Sequence, residues 1–111
     1  MFKRISLLII LSLALPAFAA AEDWNNVSIV DTSCSGKVKA DPDAHTRACA
    51  LSCSKHGFGI FDTDGNYLKF DDNGNKEALK LLQNTEKKDH LRVNVSGTKQ
   101  GDTIHVQSLK M

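Results

Sequence analysis

Hydrophobic and polar positions divide the chain into short segments whose periods keep changing. The first 21 residues stand apart. Lys3 and Arg4 precede an apolar run from Ile5 to Leu15, and Pro16 and Ala17-Phe18-Ala19 follow. A positive start, a short apolar stretch and a small-x-small pattern predict a secretory signal over residues 1–21, with cleavage after Ala19 or after Ala21. The run is shorter than the roughly 20 apolar residues of a spanning helix. No cysteine follows it closely, so no membrane or lipid anchor is expected. Residues 22–111 then form one domain.

Within that domain Val27, Ile29 and Val30 mark a strand over Asn26–Thr32, which polar residues around Gly36 break or bulge. Asp41-Pro42-Asp43 is a helix-start signal, and it predicts a helix from Ala44 to His56, stopped by Gly57. Phe58-Gly59-Ile60-Phe61 and Tyr67-Leu68-Lys69-Phe70 flank a turn that contains Asp64-Gly65, the pattern of a hairpin. Asn75 is placed to cap a second helix, Lys76 to Gln83, with Ala78, Leu79 and Leu82 on one face. Leu91, Val93 and Val95 alternate, Gly97 to Gly101 turns, and Ile104, Val106 and Leu109 complete a last strand. So short a connection makes the final pair antiparallel. The order β–α–β–β–α–β–β predicts a mainly β fold with two helices, an OB-fold-like five-stranded small barrel. The alternative is an α+β antiparallel sheet with two helices on one face.

Charge removes one class of partner. Setting Lys3 and Arg4 aside leaves 12 basic against 13 acidic residues, a balance near −1 with histidine neutral. No basic excess is available to hold a nucleic-acid backbone. A domain this small also benefits from a staple. The chain has three cysteines, an odd number for a compartment where disulfides form.

Those cysteines and two histidines fall within one stretch, Cys34 to His56. On the expected helix, at about 100° per residue, His45, Cys49, Cys53 and His56 share one stripe. The stripe is too long for a single ion. Cys49 and Cys53 would therefore chelate together, with His45 or His56 as imidazole and Cys34 as a third sulfur. Thiolates with imidazole suit copper or zinc. Alternatively, Cys34 bridges Cys49 or Cys53, pins the helix to the first strand and leaves one thiol free. A Cys-x2-Cys pair is missing, which disfavours thiol redox catalysis.

Several stretches carry a resemblance: Asp31-Thr32-x-Cys34, Lys37 through Cys53, Tyr67 to Asp71, Asp89 to Val93 and Gly101 to Ile104. They resemble a group of small exported bacterial proteins of unassigned function. The C-terminal Val-x-Val-x-Gly, turn, Gly-Asp-x-Ile-x-Val is similar to the last hairpin of exported bacterial OB-fold proteins. These likenesses imply a fold and no activity. Cys49-x3-Cys53 with His56 also looks somewhat like the two-copper loop of oxidases. It has two residues, not three, before the histidine and lacks the nearby methionine, so only copper-compatible spacing carries over.

Other features read as structure. The Asp62-x-Asp64-x-Asn66 and Asp71-x-Asn73-x-Asn75 runs put glycine at the fourth loop position, where a calcium loop needs it at the sixth. His90 and His105 are expected on a sheet surface. The expectation is an exported periplasmic binding protein, not an enzyme, that holds copper or zinc through Cys34, His45, Cys49, Cys53 and His56. The alternative is a disulfide-stapled module that binds a protein or small glycan on the barrel face through Phe58, Phe61, Tyr67 and Phe70.

Overall fold

The computed structural model describes residues 20–111. The signal expected over residues 1–21 therefore falls almost wholly outside the described residues. Five strands run Glu22–Asp31 (β1), Phe58–Phe61 (β2), Tyr67–Phe70 (β3), Arg92–Gln100 (β4) and Thr103–Lys110 (β5). They close into a barrel in the order β1-β2-β3-β5-β4. All neighbours are antiparallel except β3 and β5, which pair in parallel at Lys69–Thr103 and Phe70–Ile104. With a 13-residue helix between β3 and β4, this is the OB-like small barrel that the pattern predicts, and not the open α+β sheet.

Side-chain alternation fills the barrel. Val27, Ile29, Ile60, Leu68, Val93, Val95, Ile104 and Val106 point into one buried cluster. The β2–β3 turn is the expected one: Asp62 accepts the backbone N–H groups of Asp64 and Asn66, and Gly65 takes φ +81°. Strand β4 runs through Gly97, where the register shifts, and turns at Gly101. The turn expected over Gly97–Gly101 is thus only its last part. A bulge absorbs Gly97, whose Cα faces the His105 carbonyl too closely for any side chain.

Two helices differ from the pattern. The second was expected at Lys76 with Asn75 as its cap, yet it spans Asp72–Asn84 and is capped by Asp71, which accepts the Gly74 N–H. Asn75 sits inside it and accepts the Phe58 N–H. The first, expected as one run from Ala44 to His56, is broken. A 3₁₀ turn covers Pro42–Ala44, His45 is extended, α2 covers Arg47–Ser52, and a 3₁₀ turn covers Ser54–His56 before Gly57. The break has a cause in Thr46, whose hydroxyl accepts the Cys49 N–H and restarts the helix there. An additional turn of helix, α1, covers Ser35–Val38 where a broken strand was expected. The helix over Asp72–Asn84 is then α3.

Residues 32–57 form an insertion between β1 and β2, and its neck is closed by the Thr32 N–H on the Gly57 carbonyl. It lies over the barrel wall as a strap. Val30 and Phe61 alternate away from the core cluster and are nonetheless buried, as is Ser28. Asp43 fastens the strap: it accepts from Ser28 and, with both oxygens, from Arg92 on β4. Arg47 donates to the Leu82 and Gln83 carbonyls at the end of α3, groups that a helix leaves unpaired. No helix among the described residues is long and apolar enough to cross a membrane.

Two outcomes follow from this packing. A β-carbon at Gly74 would meet Val106 at 2.5 Å and Phe70 at 2.8 Å, whereas one at Gly36 meets nothing. Gly74→Ala should therefore cost about 1–3 kcal/mol despite its better helix propensity. Gly36→Ala should be neutral or stabilising by up to about 1 kcal/mol; chemical denaturation measures both. The Arg92 guanidinium holds the Asp43 carboxyl below its ordinary value, burial opposing it. A depressed folded pKa contributes stability above the unfolded value and loses it as pH falls. Asp43→Asn should cost about 1 kcal/mol at pH 7, discounted for an Arg92 side chain that is 41% exposed. That difference should shrink as the pH is lowered through 3.8 and below.

Candidate metal centre

The centre of interest lies at the barrel rim, where β1 ends and the strap leaves and returns. Asp31 continues the core-facing series Val27, Ile29 and is fully buried. A buried carboxylate must be paired to remain charged, and this one is. Its Oδ2 accepts from the Ser33 hydroxyl at 2.6 Å and from the Cys34 N–H at 3.1 Å. Its Oδ1 accepts from His45 Nε2 at 2.5 Å. Burial alone would raise its pKa, but the side chains of Ser33, His45 and Cys34 and the imidazole charge outweigh that and hold the carboxyl below its ordinary value. Asp31 also caps the 3₁₀ turn Thr32–Cys34, so the carboxylate sets the path of the chain leaving β1.

That path brings sulfur to the carboxylate. Cys34 ends the 3₁₀ turn, and Cys53 caps the C-terminal end of α2, so the two sit across the neck of the strap. One carboxylate oxygen of Asp31 and the sulfurs of Cys34 and Cys53 lie within 4.8 Å of one another. It is the only such group of three ligand-type side chains among the described residues. Both cysteines are half-buried and neither is bridged. Burial, and then the negative charge of Asp31, push the Cys34 thiol up. Burial and the carboxylate thus both disfavour the Cys34 thiolate. A carboxylate has about four acceptor positions, and three protein donors leave one for an ion.

The expected ligand set is thus redistributed. Cys34 and Cys53 come together, whereas Cys49 is exposed and lies outside the group. The four-residue stripe does not exist, because His45 precedes α2 in extended conformation. His45 turns inward, spends Nε2 on Asp31 and lies outside the group of three. His56 lies in the 3₁₀ turn after Cys53, exposed and outside the group. Asp31 was not among the expected ligands. The signal for it was a carboxylate in the inward register of a strand, which demands a partner, three residues before a cysteine.

The barrel face expected to bind a protein or glycan is arranged differently. Phe58 and Phe70 belong to the core cluster, since their register on β2 and β3 matches Ile60 and Leu68. Phe61 points outward but is buried, with its ring 5.2 Å from that of Tyr67. Tyr67 lies over Gly59, where a β-carbon would strike its ring. Its hydroxyl donates to the Val30 carbonyl and pairs with Thr32. Burial pushes that hydroxyl's pKa up. These four aromatics bind the chain to itself: two build the core, and two hold the wall beneath the strap. His90 also departs from the sheet surface expected for it. It precedes β4, with φ +49° and its ring against Asp89.

No protein-family model, curated protein or solved structure matches this chain. The centre is read from its geometry alone.

Because the Asp31 carboxylate organises the rim, removing it should be costly even without metal. Asp31→Ala, measured by denaturant unfolding in the presence of a chelator, should lose about 2–4 kcal/mol. Ser33→Ala removes one of its three donors and should lose about 1 kcal/mol.

Proposed function

We propose that this protein is an exported binding protein that holds a zinc ion through Asp31, Cys34 and Cys53. The observation that carries this reading is the convergence of one carboxylate oxygen and two sulfurs within 4.8 Å. A tetrahedral zinc with bonds of about 2.0–2.3 Å spaces its ligands about 3.5–4 Å apart. Closing the group onto an ion therefore asks only for small side-chain rotations. A carboxylate beside two thiolates suits zinc better than Cu(I), which prefers an all-sulfur set. His45 supports the same reading: an imidazole hydrogen-bonded to a ligating carboxylate fixes its orientation. Three protein donors leave a fourth tetrahedral position for water or for a group brought by a partner.

The chemistry of binding also follows. Both thiols must lose their protons to the solvent as the ion enters, so affinity rises with pH. The positive ion reverses the effect of Asp31 on Cys34: the carboxylate that opposes a bare thiolate becomes part of a neutralising set. Because the ligands straddle the neck of the strap, the ion would fasten residues 32–57 to the barrel. Ion binding would then add to folding stability.

Competition titration of the reduced protein against a zinc chelator tests the reading. Cys34→Ser and Cys53→Ser should each abolish most of the affinity. His45→Gln should weaken binding about 10–100-fold, and Cys49→Ser should leave it unchanged. Undiminished binding in Cys34→Ser, or the largest loss in Cys49→Ser, would overturn the assignment.

A further inference from the structure

We infer that Cys34 and Cys53 also form a reversible disulfide, so that the oxidation state of this one pair decides whether the ion binds. The inference rests on the zinc reading of the same site and adds its regulation. The two sulfurs lie within 4.8 Å, and a disulfide requires about 2.0 Å between them. Each cysteine sits at the end of a short element. Cys34 (φ −100°, ψ −2°) ends a 3₁₀ turn just before α1, and Cys53 (φ −104°, ψ 14°) closes α2. Closing the gap therefore deforms the ends of elements and not the middle of one. Both side chains are half-exposed, so a reagent in solvent reaches them.

The other pairings are weaker on geometry. Cys49 and Cys53 are one helical turn apart, and the Cys53 N–H bonds the Cys49 carbonyl. At that spacing β-carbons stand about 5–6 Å apart, beyond the roughly 3.5–4.5 Å of a disulfide. Cys49 also faces solvent outside the Asp31 group, so it is the thiol left over from an odd count.

The step balances as a thiol–disulfide exchange with any accessible disulfide, small or protein-borne. One cysteine, having lost its proton to solvent, attacks a sulfur of that disulfide, forms a mixed disulfide and releases the first thiolate. The second cysteine loses its proton, attacks the mixed disulfide and releases the second thiolate, and the two leaving groups take up the two protons. The two cysteines are oxidised by two electrons, and the co-reactant disulfide is reduced to two thiols. The bridge ties up both sulfurs and removes two of three zinc ligands. Asp31 keeps its bonds from Ser33, the Cys34 N–H and His45, so the oxidised rim carries no orphaned carboxylate. The bridge closes a loop of about 20 residues and fastens the strap in place of the ion. The strap is thereby held in both states, while the ion is held in one.

Oxidised glutathione is the probe, with alkylation, peptide mapping and zinc titration on the same purified protein. The expected result is a Cys34–Cys53 bridge, alkylation at Cys49 alone, no measurable zinc binding by the bridged form, and slower oxidation when zinc is already bound. Cys49→Ser should behave in the same way, which keeps the test independent of any folding defect in the other two cysteine variants. A bridge through Cys49, or a bridged protein that binds zinc as tightly as the reduced one, overturns the inference. A reduced protein that binds zinc but never forms the bridge overturns the gate and leaves the zinc reading standing. A reduced protein that binds no zinc overturns both.

Discussion

One buried carboxylate holds the rim of this barrel together where β1 ends. Asp31 occupies a core-facing register position with no access to solvent, and such a group is tolerated only when its lone pairs are used. Three donors use them: a hydroxyl two residues on, a backbone N–H three residues on, and an imidazole from fourteen residues on. The first two turn the chain sharply out of β1. The third pulls the strap back against the rim. Satisfying this one charge therefore fixes where Cys34 lies, why the first helix breaks at His45, and how the strap approaches the neck where Cys53 returns.

The strap explains a second property. In an OB-fold the strands β2 and β3 commonly offer an open face for ligands. Here the second half of β1 and all of β2 are buried on both sides, the inner by the core and the outer by the strap. Asp43, Thr32 and Arg47 give its length polar attachments to β1, β3, β4 and α3. What remains open to chemistry is the neck of the strap, not the wall it covers. A carboxylate and two sulfurs lie within 4.8 Å of one another there, and Cys34 and Cys53 are the two cysteines that the fold brings together.

The barrel was legible in the sequence because its signals are local. Alternation in Leu91–Val95 and Ile104–Leu109, Asp64-Gly65 in the hairpin, and the apolar face of Ala78, Leu79 and Leu82 each report a neighbourhood of a few residues. The helix expected from Ala44 to His56 breaks because of a local competitor: Thr46 caps a helix better than Pro42 starts one, and His45 has a distant carboxylate to reach. Asn75 likewise offers a cap in the sequence, but Asp71, four residues earlier, is the one used. Two of the expected ligands, Cys34 and Cys53, do meet. The burial of Asp31 depends on register across the barrel, which no local pattern reports, and the core positions of Phe58 and Phe70 follow only when alternation is carried from one strand to the next.

The central claim is that one carboxylate and two sulfurs, and not the Cys49 stripe, make the ion site. X-ray absorption at the zinc edge of the reduced, zinc-loaded protein addresses it directly. The account predicts two sulfur neighbours at about 2.3 Å, with the remaining neighbours light atoms at about 2.0–2.2 Å, and a spectrum unchanged by Cys49→Ser. Three sulfur neighbours, or a sulfur shell that changes when Cys49 is replaced, would contradict it.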